Sequence, residues 1–336
     1  FDGMFDTKKS ENDKLFIHKY GPHVRDYEKG DPFWGDSRGK GIIGAVNYLN
    51  SAGVNSVYFI TYNLDGGDGH DVWPWISSES RDRFDCSKLD QWDVVFSHMD
   101  SKGIVKHFLT QETENDQGLN RGELGYERKL YYRELVARFG YHPGVIWNLG
   151  EENTNTTEQR KAFAKHIKGL DAYDHPIVVH TFGGKWWETV YRPLLGFEYL
   201  DGPSLQTNDT HEQTKKWIKL SGESGHQWVV FLDEIGPADV GVKPDEVDPG
   251  HEDVVHKHLW GNLLAGGAGC EWYFGYKFAH NDLNCEDFRS RANMWRLTRV
   301  AIDFFHEHLD FAEMENMDEL TSGDGAYCFG KAGEVY

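Results

Sequence analysis

Val145-Ile146-Trp147-Asn148-Leu149-Gly150-Glu151-Glu152-Asn153 is the stretch whose reading decides the fold. An apolar run of strand length stops at a glycine, and two adjacent carboxylates follow. Val229-Val230-Phe231-Leu232-Asp233-Glu234-Ile235-Gly236 repeats the design. Each reads as a buried strand that delivers a glutamate to its C-terminal end.

Working outward, strand patterns alternate with helical ones. Short apolar or β-branched runs begin near residues 14, 54, 104, 145, 177, 197, 228 and 269. Apolar residues at helical spacing follow them, as in Leu89, Trp92, Val95, Phe96 and Met99, or Phe163, Ile167 and Leu170. Thr156 with Gln159 predicts a capping box for the latter helix. Trp186, Trp187 and Val190 mark another helix. Eight strand–helix units predict an α/β chain folded as a (β/α)8 TIM barrel over residues 1–310. Residues 311–336 read as the beginning of a C-terminal β-domain. No glycine-rich phosphate loop occurs, which argues against a doubly wound nucleotide-binding sheet.

Composition narrows the function. The chain has 336 residues and a formal net charge of −20, so a phosphate-backbone partner is not expected. Its surface suits a secreted, periplasmic or cell-surface protein. Aromatic residues reach 14%, with 12 Trp and 16 Tyr, enough to fill a core and also line a cleft. The four cysteines (Cys86, Cys270, Cys285 and Cys328) form no CxxC pair, so isolated thiols are expected rather than a zinc ribbon. No apolar run reaches membrane-spanning length. The start at Phe1-Asp2-Gly3 and the hairpin-like end at Tyr327–Tyr336 suggest a piece of a longer protein.

In a (β/α)8 barrel the chemistry sits at the C-terminal ends of the strands. That rule selects Gln111, Glu112 and Glu114; Glu151, Glu152 and Asn153; His180 and Thr181; Tyr199 and Asp201; Asp233 and Glu234; and Trp272 and Tyr273. Strands four and seven lie nearly opposite around the barrel, so their glutamates can face each other. Two carboxyls about 5–5.5 Å apart support hydrolysis of a glycosidic bond with retention of configuration. Such proximity splits their pKa values, keeping one protonated as acid and the other ionised as nucleophile.

The two strands resemble those of the clan A glycoside hydrolases, which are retaining (β/α)8 enzymes. The text Trp147–Asn153 is similar to a group of bacterial glycoside hydrolases whose barrel is flanked by an N-terminal β-sandwich and a C-terminal β-domain of the collagen-binding type. The resemblance implies a carbohydrate substrate, a β-linked poly- or oligosaccharide, with no cofactor and no metal. It implies Glu152 as acid/base and Glu234 as nucleophile. Clan members carry asparagine before the acid/base, and here Glu151 stands in that place. Glu151 therefore either accepts from a sugar hydroxyl or is itself the acid. Position alone adds His180, Tyr199, Gln111 and His107 as hydroxyl partners, each of which is otherwise a satisfied core polar group. It adds Trp272 as a stacking floor and Trp73, with Trp75, as a rim platform; packing in the core is the competing role. Asp65, Asp68 and Asp71 lack the spacing of a calcium loop, and His251, His256 and His258 lack a zinc-site spacing. The rival functions are a non-catalytic carbohydrate-binding or adhesion barrel, and a metal-dependent hydrolase built on the strand-end histidines and carboxylates.

Overall fold

The structure is a computed structural model and describes residues 18–66, 70–323 and 325–335. Its centre is a curled sheet of six parallel strands in sequence order: β1 (Ser56–Ile60), β2 (Val105–Leu109), β3 (Val145–Asn148), β4 (Ile177–His180), β5 (Gly202–Gln206) and β6 (Phe231–Glu234). Sequential parallel pairing requires a crossover after every strand, and the helices supply it. The layout is TIM-barrel-like.

The principal helices are α1 (Lys40–Ser51), α2 (Cys86–Ser101), α3 (Tyr126–Phe139), α4 (Thr157–Leu170), α5 (Lys185–Val190) and α6 (Thr210–Glu223). A π-helical stretch, Val254–Trp260, then runs into α7 (Gly261–Leu263), and α8 (Ala292–His308) closes the series. Their buried faces follow the helical period: Leu89, Trp92, Val95, Phe96 and Met99 on α2, then Tyr131, Tyr132, Leu135, Val136 and Phe139 on α3. Against them pack the outward residues of the strands. Phe108 meets Phe96, Phe139 and Trp147 with ring centroids 5.0–5.7 Å apart. The predicted capping box is present: Thr156 Oγ1 accepts from the Gln159 amide at 3.2 Å, and the Gln159 side chain accepts from the Thr156 amide at 2.9 Å.

Two of the predicted strands change, and one is not described. The strand predicted near residue 14 lies outside the described residues except for His18. The strand predicted at 196–200 is a turn, and the strand itself is Gly202–Gln206. Gly202 is required there, because a Cβ would stand 1.9 Å from the Val229 carbonyl oxygen of the adjoining chain. The strand predicted at 268–274 reduces to one parallel bridge, Leu232 to Cys270. Near the end of the chain, β7 (Glu315–Asn316), β8 (Phe329–Lys331) and β9 (Glu334–Val335) form a small antiparallel sheet, including the hairpin read from the sequence. Phe329 packs with Phe305 and Leu309 of the preceding helix and its end. All four cysteines are free thiols. Among the described residues no helix is long and apolar enough to cross a membrane.

Candidate active site

Strand alternation sets what faces the interior. The register aligns Tyr58 with His107, Leu109 with Asn148, and His180 with Ser204. Tyr58, His107, Asn148, His180 and Ser204, with Asp233 and Glu271, give the interior a polar filling where barrels of this kind usually carry branched aliphatic side chains.

The lower part of this filling is a directed hydrogen-bond network. The amides of Gly150 and His180 both donate to Asn148 Oδ1 at 3.2 Å, which fixes the orientation of its carboxamide. Asn148 Nδ2 then faces His107 Nε2 at 3.1 Å and Ser204 Oγ at 3.2 Å. His107 Nε2 therefore accepts, and its Nδ1–H donates to Glu271 Oε2 at 2.7 Å. Ser56 donates to the other Glu271 oxygen at 2.6 Å. Burial opposes a charge on Glu271, but His107 and Ser56 outweigh it and hold the carboxyl below its ordinary range. Asp233, buried beside it, is pushed well up by desolvation and by the Glu271 charge, so it keeps its proton.

Above this network the chain turns sharply after β3. Gly150 has φ 148°, and a Cβ there would lie 2.8 Å from Gln111 Cγ. Glu152 adopts φ 39°, a left-handed conformation that costs a non-glycine residue roughly 1–2 kcal/mol. The surrounding contacts hold it. Thr113 Oγ1 donates to the carbonyls of Glu151 and Glu152 at 3.0 Å, the Asn153 amide donates to the His180 carbonyl, and Thr154 donates to buried Asp116.

This turn sends the two adjacent glutamates in different directions. Glu152 receives Gln206 Nε2 at 3.0 Å. Glu151 points inward, where Tyr58 donates to its Oε2. Its Oε1 lies 3.5 Å from His180 Nε2, and Glu234 Oε2 lies 3.8 Å from the same nitrogen. One oxygen of Glu151 and one of Glu234 come within 4.8 Å of each other. Desolvation, followed by the charges of Glu234, Glu152 and Asp282, raises the Glu151 carboxyl well above its ordinary value. Burial pushes His180 down to about 3, so its ring is neutral.

A cavity of about 520 Å³, in the range of small-molecule sites, is lined in part by Glu112, Glu151, Glu152, His180 and Glu234 and extends along β1 to Gly53 and Val54 and to Trp295 and Ile302 of α8. A smaller pocket adjoins it, bounded by Gly183, Trp187, Gln206, Asn208 and Glu234. Glu234 lines both.

Of the residues singled out in the sequence, the structure brings together Glu151, Glu152, Glu234 and His180, with His107 beneath them. Glu112, Glu114, Asp233, Trp73, Trp272 and Tyr273 also line the cavity, whereas Gln111, Tyr199 and Trp75 do not. Tyr199 precedes β5, at the opposite end of the strand, so its selection falls with the misplaced strand. Gln111 is buried behind the turn and is consumed by Asp116, Asn155 and Arg128. Trp73 borders the cavity but is buried with the Lys88 ammonium over its ring, and Trp75 is fully buried, so neither is a rim platform. Trp272 also borders the cavity, yet its indole N–H is turned to Thr298 on α8. Asp71 accepts from the Asp65 amide, and Asp68 lies outside the described residues. His251 and His258 are buried and bonded to Asp245 and Thr210. Sequence reasoning missed Tyr58, Gln206, Trp187 and Glu271. Tyr58 had a signal, since it alternates with Ser56 inside a strand; Glu271 had another, a charge within an apolar run.

No protein-family model and no curated protein matches the chain. Solved structures do. A glycoside hydrolase family 5 protein from Bacteroides vulgatus superposes with a TM-score of 0.60 at 16% identity, over 87% of this chain and 70% of that one. An endo-β-1,4-mannanase from Thermotoga petrophila gives 0.51 at 16% identity, over 81% and 75%. An endoglucanase from Pseudomonas stutzeri gives 0.51 at 13% identity, over 84% and 92%. At such identities the likeness establishes the TIM-barrel-like α/β fold.

Proposed function

We propose that the protein is a retaining glycoside hydrolase acting on a β-linked poly- or oligosaccharide. The observation that carries this reading is the approach of Glu151 and Glu234 to within 4.8 Å across the barrel mouth. A close approach of two carboxyl groups accords with the double displacement of a retaining enzyme.

On this reading the acid/base is Glu151, the alternative the sequence left open, in place of Glu152, the first choice from the sequence. Glu151 retains a proton because it is desolvated beside other carboxylates, which is the state a general acid needs. It protonates the glycosidic oxygen while Glu234 attacks the anomeric carbon to form a glycosyl ester. Water, deprotonated by Glu151, then releases the sugar and restores Glu234. The pocket beside Glu234 gives a neighbouring sugar unit a place, with Trp187 as an apolar wall and Gln206 and Asn208 as hydroxyl partners. On this reading Glu152, held by Gln206, belongs to the binding surface. The acidic surface accords with action outside the cell.

The test is hydrolysis of a panel of β-linked polysaccharides, with the product anomer followed by proton NMR. A β-anomer formed first supports the reading; an α-anomer formed first, or no hydrolysis of any β-glycan, overturns it.

A further inference from the structure

Among the described residues, three groups bring metal-ligating atoms within 4.8 Å of one another: His107 with Asp233 and Glu271, His211 with Glu212 and Asp318, and Glu151 with His180 and Glu234. The first has no lone pair to offer from its imidazole. Asn148 occupies Nε2, and Nδ1 carries the hydrogen donated to Glu271. The second is already neutralised. His211 has both nitrogens engaged, by the Gly261 carbonyl and Asp318, and the Lys215 ammonium sits 2.7 Å from the same carboxylate.

The third is different. The His180 side chain is 1% exposed, and neither ring nitrogen makes a hydrogen bond. An unsatisfied buried imidazole costs free energy, and a bound ligand would recover it. Nδ1 lies 3.8 Å from Asp233 Oδ2. Nε2 faces Glu151 Oε1 at 3.5 Å and Glu234 Oε2 at 3.8 Å. A tetrahedral Zn²⁺ with bonds of about 2.0–2.2 Å separates its ligand atoms by roughly 3.4 Å. Small rotations of the two carboxylates bring the trio to that spacing, and the cavity leaves the fourth position open to water. One imidazole and two carboxylates favour a zinc-class ion over Mg²⁺, which prefers oxygen donors and its own waters.

We propose that His180, Glu151 and Glu234 form a binding site for one divalent transition-metal ion of the zinc class, and that the bound ion excludes glycoside substrate. The site stands on its own geometry, and only the exclusion clause rests on the glycosidase reading. An ion held by both carboxylates leaves neither a proton donor nor a nucleophile for the sugar, so it acts as a reversible inhibitor.

The experiment titrates the full chain, freed of metal with EDTA, with ZnCl₂ by calorimetry, alongside His180→Ala and Glu234→Gln and with MgCl₂ as the comparison ion. Thermal melts of each variant report folding. The expected result is one Zn²⁺ per chain, no Mg²⁺ binding at the same concentrations, and affinity reduced roughly tenfold or more in a folded His180→Ala. If His180→Ala does not melt cooperatively, Glu234→Gln decides by the same criterion. No Zn²⁺ binding by the wild type, or undiminished binding by a folded variant, overturns the site. β-Glycan hydrolysis measured in parallel is expected to fall with Zn²⁺ and return with EDTA. Hydrolysis in EDTA without Zn²⁺ binding overturns the site alone. Zn²⁺ binding without hydrolysis in EDTA overturns the glycosidase reading alone. Hydrolysis undiminished at saturating Zn²⁺ overturns the exclusion.

Discussion

Gln206 donates to Glu152 at 3.0 Å, while the preceding glutamate, Glu151, makes the approach to His180 and Glu234. The division of labour between two adjacent carboxylates therefore depends on a single left-handed residue and a side-chain amide from β5. Glu151→Gln removes the proposed general acid and should lower kcat on substrates with poor leaving groups by about 10²–10⁴-fold. Azide should restore turnover of Glu151→Ala on activated glycosides. Glu152→Gln should stay within about tenfold of wild type, since it removes a contact and not the proton donor. A fluorosugar that traps the covalent intermediate should label Glu234. Steady-state kinetics and mass spectrometry read these outcomes, and the reverse ranking of the two glutamates would return the acid role to Glu152.

The Asn148–His107 bond supports a second prediction, on stability. Asn148→Asp replaces the donor facing His107 Nε2 with an acceptor and brings a carboxylate into a buried interior. With both Gly150 and His180 amides holding one oxygen, the side chain cannot turn away. A buried pair left mismatched costs about 1–3 kcal/mol. Denaturant unfolding at neutral pH should show a loss of that size; an unchanged midpoint would mean the network relaxes freely.

Trp187 gives a prediction about substrate length. It walls the pocket beside Glu234. Stacking a sugar on an aromatic face is worth on the order of 1 kcal/mol. Trp187→Ala should raise KM several-fold on oligosaccharides long enough to reach that pocket and leave short aryl glycosides nearly unaffected. Equal effects on both, compared by KM and kcat, would remove the pocket from the binding path.

Much of this arrangement was legible in the sequence, and the parts that were not have physical reasons. The strand–helix alternation and the two glutamate strands carry strong periodic signals, and they located β3 and β6. β5 was misread because Phe197-Glu198-Tyr199-Leu200 has strand composition, while Gly202-Pro203 reads as a turn. Close packing of Gly202 against Val229 overrides both propensities. Which of Glu151 and Glu152 points inward was hidden because it is set by dihedral angles at Gly150 and Glu152, which no pattern of residue types displays. A strand-end rule says which end of the barrel a residue occupies but not how its side chain is held: Trp73 is buried under the Lys88 ammonium, and Trp272 lines the cavity while its indole N–H bonds Thr298.

The small antiparallel sheet makes a further prediction, on acid stability. Asp318 receives His211 Nε2 at 2.6 Å, Lys215 Nζ at 2.7 Å and the Cys328 amide at 3.0 Å. Burial works against its charge, but these donors outweigh it and hold the carboxyl far below the ordinary aspartate value. A carboxyl depressed in the folded state binds protons more weakly there than in the unfolded chain. Its contribution is therefore fully present above the unfolded pKa of about 3.9 and is lost as pH falls below about 4 toward the folded value. The side chain is 21% exposed, so solvent screening limits the effect to roughly 1 kcal/mol. Asp318→Asn should lower the denaturant midpoint by that amount at pH 6–8, and the gap to wild type should narrow as pH falls from about 4. A gap that is constant across this range would show that the carboxylate charge does not anchor the sheet to α6.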